Sequence, residues 1–186
     1  LESGGQLVLQ DVWDSKEGLR LIEKHKVQVS IGSALFLNDL LEAKSLKDSE
    51  LSEWKRFVHV GVSIPASVLK RADETLPCVV LPGWGKTECG LLTVCLPSDS
   101  LERRLSDGYP HPGNSVRVVD DEGLTVVNRE GNLQCKGSFC FVGYLQGREL
   151  TESCWDGDWF DTGDRASVDS LGYVKLLGRN HDQINN

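Results

Sequence analysis

Three short polar segments of this chain carry residue types that bind phosphate, metal or sugar hydroxyls. The first, Gly83-Trp84-Gly85-Lys86-Thr87-Glu88-Cys89-Gly90, comes directly after an apolar run. Its glycines let the backbone approach a ligand closely, Thr87 offers a hydroxyl to phosphate, and Glu88 offers a hard oxygen ligand to Mg²⁺. A tight turn capped by a threonine would use the same residues, and the spacing does not match the P-loop pattern. By itself, the segment is equally compatible with a binding site and with a simple turn.

The other two segments come later in the chain. Trp159-Phe160-Asp161-Thr162-Gly163-Asp164 places carboxylates around a Thr-Gly turn, and Asp164 could accept hydrogen bonds from a diol such as ribose. A loop in which Asp164 caps backbone amides is the simpler alternative. Gly178-Arg179-Asn180-His181-Asp182 follows a strand-like run. Arg179 suits a hydroxyl or a phosphate, although an exposed arginine after a strand is usually only solvated.

The elements that must position these segments change in character near residues 97–105. Before that point strands and helices alternate, which predicts a largely parallel sheet covered by helices. We predict strands over residues 6–10, 27–31, 56–60 and 77–81, and helices over residues 14–26, 35–43 and 66–75. Asp14 followed three residues later by Glu17 is the capping-box pattern that marks the start of the first helix.

Beyond that point the chain consists of short β-type runs separated by turn residues. These runs cover residues 116–119, 124–127, 133–136, 139–144 and 173–177. They predict a small antiparallel sheet or distorted barrel. The predicted fold class is therefore α/β, a partly parallel sheet with covering helices followed by a small distorted antiparallel β-barrel subdomain.

Composition excludes several classes of function. The chain has 186 residues and a formal charge of −8, so a general nucleic-acid-binding surface is not expected. No apolar run approaches the roughly 18 residues of a membrane span, and the N-terminal residues do not resemble a signal peptide, so we expect a cytoplasmic protein. The six cysteines form no C-x-x-C pair, which favours reduced, partly buried thiols over a zinc site or a disulfide framework.

The order of the motifs changes the interpretation of each one. G-W-G-K-T-E, then G-N-L-Q-C-K-G with F-V-G-Y-L, then W-F-D-T-G-D, then L-G-Y-V-K-L-L-G-R-N-H-D-Q-I occur in sequence over about residues 55–185. This set resembles the core motifs of the adenylate-forming superfamily of acyl-CoA synthetases, luciferases and peptide-synthetase adenylation domains. The residues of these motifs are most similar to those of short- or medium-chain and cyclohexanecarboxylate-type acyl-CoA ligases.

The resemblance implies a role for individual residues. Trp84 would stack on adenine, with Gly85 and Lys86 beside it and Gly61-Val62-Ser63 lining the adenine pocket. Thr87 would bind the AMP phosphate and Glu88 would hold Mg²⁺, which makes them the expected catalytic pair. Asp164 would bind the ribose hydroxyls, Arg179 would make a second nucleotide contact, and His181 would be the hinge to a C-terminal domain. Three departures from the family pattern are Val60 in place of a usual glycine, His181 in place of a usual Asp or Lys, and Lys86 in place of a usually apolar residue beside the acyl site. A cation at position 86 could favour a polar acid or could point to solvent.

The implied activity is that of a carboxylic acid–CoA ligase, with ATP, CoA and a small carboxylic acid as substrates. The implied domains are the end of an α/β subdomain over residues 1–100, a β-barrel-like subdomain over 101–177, and a hinge over 178–186. The family's phosphate loop and its C-terminal lysine do not occur in this sequence, so we expect the isolated chain to bind nucleotide and scarcely to catalyse.

Two alternative functions are also compatible with the sequence. An enzyme that adenylates an acyl, aryl or amino acid and loads a carrier protein usually reads Y-G-P-T-E and G-E-L-x-I-x-G, unlike this chain. A non-catalytic nucleotide-binding module is the alternative of a different class. The sequence leaves open which acid is used, whether CoA or a carrier protein is the acceptor, and whether the protein forms a homo-oligomer.

Overall fold

The computed structural model describes residues 4–43, 46–47 and 49–179. The chain divides into two compact units, residues 1–81 and 82–186. The predicted subdomain limits at residues 100 and 177 stay a prediction, and the proposed hinge residue His181 lies outside the described residues.

The first unit contains helices and parallel strands. The elements in chain order are α1 (Ser15–His25), β1 (Val29–Gly32), α2 (Ala34–Glu42), β2 (Arg56–His59), α3 (Ala66–Thr75) and the beginning of β3 (Val79–Lys86). Strands β1 and β2 pair in parallel, with Val29 opposite Arg56, and the strand order is β1-β2-β3. The predicted strand and helix alternation with a parallel sheet is confirmed for these elements.

Local sequence signals explain where α1 begins and ends. The Asp14 carboxylate accepts a hydrogen bond from the Glu17 backbone N–H at 2.8 Å, as the capping-box pattern predicts. The helix ends at His25, and the C-cap residue Lys26 has a left-handed φ of 49° and an N–H that donates to carbonyl groups of the last turn. Leu19 on the apolar face is fully buried, so the prediction of this helix is confirmed.

One predicted strand in the first unit is wrong. Residues 6–10 have no regular secondary structure, and Leu7 and Leu9 are exposed. A run of alternating apolar residues becomes a strand only where its backbone groups find a partner ladder. Within the described residues no strand pairs with this segment.

The second unit is a set of antiparallel strands. The end of β3 pairs with β4 (Gly90–Val94), and β4 pairs with β5 (Tyr109–Pro110). The following elements are β6 (Asn114–Val119), β7 (Thr125–Val126), β8 (Glu130–Gly137), the short helix α4 (Arg148–Ser153), β9 (Trp155–Asp156), β10 (Trp159–Val168) and β11 (Val174–Arg179). Their strands form a further sheet with the order β11-β10-β8-β6-β7, and β9 pairs with β10. The predicted antiparallel subdomain is confirmed.

Two predictions for the second unit need correction. Residues 139–144 form turns and bends instead of a strand. Residues 159–164, which the simpler alternative treats as a loop, begin the ten-residue strand β10. The W-F-D-T-G-D residues alternate between partly exposed and buried positions in β10, so burial against the sheet outweighs the turn preference of Asp, Thr and Gly.

The core of the second unit is apolar and includes aromatic rings. Phe160 is 1% exposed, and it packs with buried side chains from β3, β4, β6 and β8. The cluster consists of Trp84, Cys89, Leu92, Val118, Leu133, Cys135, Phe160, Ala166, Val168 and Val174. Within the described residues, no helix is long and apolar enough to cross a membrane.

Candidate functional site

The G-W-G-K-T-E segment is a strand followed by a turn. Strand β3 continues through Lys86, and the Cys89 N–H donates to the Lys86 carbonyl at 3.1 Å to close the turn. Glycine is required at position 85 because a Cβ there would collide with the carbonyl of Gly90 on β4. Thr87 is exposed at the turn and Glu88 is partly buried beside it. The glycines therefore allow two strands to approach closely and leave a hydroxyl and a carboxylate at the end of β3.

Lys86 connects this turn to the W-F-D-T-G-D strand. Its Nζ donates to the Thr162 carbonyl at 2.5 Å and lies 4.0 Å from Glu88 Oε2. It also lies 5.7 Å from the centre of the Phe160 ring. The sequence left open whether this lysine points to solvent, and the structure places it in a largely buried position, with its side chain 22% exposed.

Glu88 is held by a tyrosine. Tyr144 Oη donates to Glu88 Oε1 at 2.9 Å, and the Glu88 side chain is 19% exposed. Burial acts to raise the pKa of Glu88, but the hydrogen bond from Tyr144 and the charges of Lys86 and Arg179 outweigh it and hold that pKa below its ordinary value. Glu88 is therefore ionised at neutral pH, as a ligand for a hard cation must be. Burial, together with the bond to Glu88, raises the pKa of Tyr144 to about 12.

Asp164 is the buried carboxylate of the site. It is 8% exposed, and its backbone N–H donates to Thr162 Oγ1 at 3.1 Å. The same Thr162 hydroxyl donates to the Leu133 carbonyl of β8 at 2.8 Å, which fixes this part of β10. Burial raises the pKa of Asp164 above its ordinary value, although Lys86 and Arg179 act in the opposite direction. A carboxylate kept in such an environment is a candidate functional group.

Arg179 stands opposite Asp164 in the pairing of β10 with β11. Its Nε lies 3.6 Å from Asp164 Oδ1, while its side chain is 70% exposed. The structure therefore brings Lys86, Glu88, Asp164 and Arg179 into one charged cluster in the second unit, as the shared electrostatic effects on Glu88 and Asp164 also indicate.

The remaining predicted residues lie in different surroundings. Trp84 is 7% exposed and packs in the core of the second unit, so its adenine-stacking role stays a prediction. Gly61, Val62 and Ser63 are exposed in the loop that follows β2 in the first unit. His181 lies outside the described residues.

Within the described residues, no group of three or more His, Cys, Asp or Glu side chains could hold a metal ion. Magnesium commonly needs only one or two carboxylates, because it keeps several waters and binds substrate phosphates. Glu88, ionised and next to the exposed Thr87 hydroxyl, fits this type of shared site.

Sequence reasoning missed Tyr144 and the structural role of Thr162. Tyr144 belongs to the F-V-G-Y-L motif, but it lies 56 residues from its partner Glu88, and nothing in the motif itself indicates a bond to that carboxylate. Thr162 was visible within W-F-D-T-G-D, but its buried bonds to β8 and to Asp164 depend on the strand pairing.

Comparison with known proteins identifies the family. The AMP-binding enzyme model matches residues 1–145, so the chain belongs to the AMP-binding enzyme family. It is 31% identical over 184 residues to a medium-chain fatty-acid–CoA ligase of Escherichia coli, a match that covers 97% of this chain and 32% of that protein. The chain thus spans about a third of the length of the curated relatives it matches.

Solved structures support the same assignment. The amide bond synthetase McbA of Marinactinospora thermotolerans is similar with a TM-score of 0.90 and 27% identity, over 95% of this chain and 36% of that one. The anthranilate CoA ligase AuaEII, solved with anthranoyl-AMP, is similar with a TM-score of 0.82 and 26% identity, over 92% of this chain and 33% of that one. The predicted fold class and the resemblance to adenylate-forming enzymes are confirmed.

Proposed function

We propose that the full-length protein activates a carboxylic acid with ATP and transfers the acyl group to CoA. The carboxylate oxygen attacks the α-phosphorus of ATP, the bond to pyrophosphate breaks, and acyl-AMP forms. The CoA thiol then attacks the acyl carbon, so that the thioester forms and AMP leaves. No general base is needed in the first step because a carboxylic acid is already ionised at neutral pH.

The observation that carries this proposal is the charged cluster of the second unit. The cations Lys86 and Arg179 flank the carboxylates Glu88 and Asp164, all on motif segments in the order that the family shows. Such a group of opposite charges suits a ligand that combines phosphate, a metal ion and sugar hydroxyls.

The proposed roles follow from the chemistry of each group. Asp164, buried and facing Arg179, accepts hydrogen bonds from the ribose hydroxyls, and Arg179 makes a second contact to the nucleotide. Thr87 donates to the AMP phosphate, and Glu88 holds Mg²⁺, which neutralises phosphate charge when bound. Trp84 and Gly85 contact the adenine, and the acyl group lies beside the backbone at Gly83–Gly85. The assignment of Gly61-Val62-Ser63 to the adenine pocket stays a prediction.

Several broader features belong to the same proposal. The protein works in the cytoplasm, takes part in fatty acid metabolism, and uses His181 as the pivot towards a C-terminal domain.

The test is product identification with the full-length protein. Incubation with ATP, Mg²⁺, CoA and a panel of aliphatic, alicyclic and aromatic acids should release pyrophosphate and yield acyl-CoA, both followed by mass spectrometry. If no acid of the panel causes pyrophosphate release and no acyl-AMP is detected, the proposal is contradicted.

A second acceptor is favoured by one observation, the similarity to an amide bond synthetase. In this alternative the acyl group of acyl-AMP is transferred to an amine, or to the thiol of a carrier protein, instead of to CoA, and AMP leaves. Acyl-AMP that accumulates with CoA present and disappears on addition of an amine or of a thiol-bearing carrier domain would identify this route.

A further inference from the structure

A tyrosine outside the expected site residues contacts the proposed metal ligand. Tyr144 Oη donates to Glu88 Oε1 at 2.9 Å. The other carboxylate oxygen, Oε2, lies 4.0 Å from Lys86 Nζ, which is too far for a hydrogen bond. Tyr144 therefore binds Oε1 of Glu88, and this bond also sets the direction in which Oε2 points.

The tyrosine is itself held in place by a contact of its loop with helix α4. Its backbone N–H donates to Thr151 Oγ1 at 2.9 Å, and that hydroxyl donates to the Gly147 carbonyl at 2.7 Å. Gly143, with a φ of +152°, precedes it, and a Cβ there would come within 2.9 Å of Thr151. The loop between β8 and α4 can therefore approach α4 closely, which fixes the position of Tyr144.

The same loop binds the backbone of Glu88. The Phe141 N–H donates to the Glu88 carbonyl at 2.7 Å. The Phe141 ring packs on Tyr144, with the ring centres 4.8 Å apart, and on Phe160 of the core, at 5.2 Å. One bond to the main chain and one to the carboxylate thus hold Glu88 at both ends of its side chain.

We propose that Tyr144 is a positioning residue that orients the Glu88 carboxylate towards a metal-bound phosphate. The inference rests on the proposed function, because it assumes that Glu88 holds Mg²⁺. Carboxylates that bind metals are generally oriented by hydrogen bonds from neighbouring groups, and loss of such a neighbour typically lowers metal affinity by about 10-fold or more. Tyr144→Phe removes the hydroxyl and keeps the ring on Phe141.

The second unit offers a matched control. Tyr173 Oη donates to Asp99 Oδ1 at 2.7 Å, and its ring packs on Tyr109 with the centres 5.7 Å apart. Tyr173→Phe therefore removes the same kind of bond, from a tyrosine to a carboxylate, without touching Glu88. A general effect on folding should appear in both Tyr144→Phe and Tyr173→Phe, whereas an effect through Glu88 should appear only in Tyr144→Phe.

The experiment measures how strongly Mg²⁺ promotes ATP binding to the full-length protein. Calorimetric titration with ATP in excess Mg²⁺ and in EDTA gives two affinities, and their ratio reports the metal contribution. We expect Tyr144→Phe to lower this ratio by about 10-fold and to leave the affinity in EDTA unchanged. Tyr173→Phe should match the wild type in both conditions.

A double variant separates the inference from the proposed function. In Glu88→Gln the ratio should already be low, and adding Tyr144→Phe should lower it no further, since neighbours that act through one group are not additive. A normal ratio in Tyr144→Phe with a low ratio in Glu88→Gln would overturn the role of Tyr144 alone. Equal ratios for wild type and Glu88→Gln, or no ATP binding at all, would overturn the proposed function as well.

Discussion

The polar side chains of the candidate site in the second unit contact groups on other elements, whereas the loop after β2 in the first unit contains a glycine with a positive φ and open space around it. Lys86, Glu88 and Asp164 each contact a group on another element. Gly61 instead has a φ of +103° and open space around it, and Val62 is 64% exposed. Substitutions at these positions should therefore change charge interactions in the second unit and backbone conformation in the first.

In the second unit, the cationic neighbours of Asp164 do not compensate for the cost of burying its charge. An ion pair as exposed as that of Arg179 with Asp164 is worth only about 0–1 kcal/mol. Burying an ionised carboxylate costs several kcal/mol unless it is well paired. The burial of Asp164 therefore outweighs its cationic neighbours, and the pKa of Asp164 is raised. We interpret this carboxylate as kept for binding, at the expense of stability.

The largest effect is expected at Glu88. Glu88→Gln keeps the shape of the side chain and removes its charge, so pyrophosphate release by the full-length protein should fall by about 10²-fold or more. Glu122→Gln, at an exposed turn of the same unit, is the control and should leave the rate unchanged. An unaltered rate in Glu88→Gln would remove Glu88 from the proposed site.

A smaller loss is expected when Asp164 is truncated. A hydrogen bond to a charged group is worth about 1.5–3 kcal/mol, so Asp164→Ala should weaken AMP binding by about tenfold or more. The exposed Asp158, close in sequence, provides the control Asp158→Ala. Calorimetry that gives equal AMP affinities for the two variants would leave Asp164 with a structural role only.

The first unit should respond through its backbone. Gly61→Ala places a side chain at a φ of +103°, which residues with a Cβ rarely adopt, and should lower the free energy of unfolding by about 1 kcal/mol or more. Gly5→Ala, also in open space but without a positive φ, is the matched control. Equal denaturant midpoints for the two variants would show that the loop after β2 tolerates another conformation.

The smallest effect is a gain of stability in the second unit. The pKa of Asp164 is raised in the folded protein above its ordinary value of 3.8. Its favourable contribution to the free energy of unfolding is therefore complete at a pH below that ordinary value, and it is lost as the pH rises through the pKa of the folded protein. Asp164→Asn should therefore raise the melting temperature of the ligand-free protein at neutral pH. The gain should shrink on acidification towards 3.8. A lower melting temperature at neutral pH would mean that the pairing with Lys86 and Arg179 outweighs burial.

Much of the fold could be predicted because short-range signals agree with the tertiary structure. Asp14 caps α1 through a residue three positions away, and α3 covers residues 66–75 as its pattern predicts. The parallel and antiparallel halves could be distinguished because helices separate the strands in one and turns separate them in the other. The strand predictions failed at 6–10 and 139–144, where apolar residues have no partner strand in the described structure.

The sequence by itself determined the family motifs, their order and the residue types that could bind a nucleotide and a metal. Only the tertiary structure decided which of these groups meet. Lys86 reaches Thr162 across 76 residues and Tyr144 reaches Glu88 across 56. The pairing of β10 with β8 and β11 made W-F-D-T-G-D part of a strand and buried Asp164 within it. The physical reason is that caps and turns depend on neighbours along the chain, whereas burial, hydrogen bonds between strands and the resulting pKa shifts depend on neighbours in space.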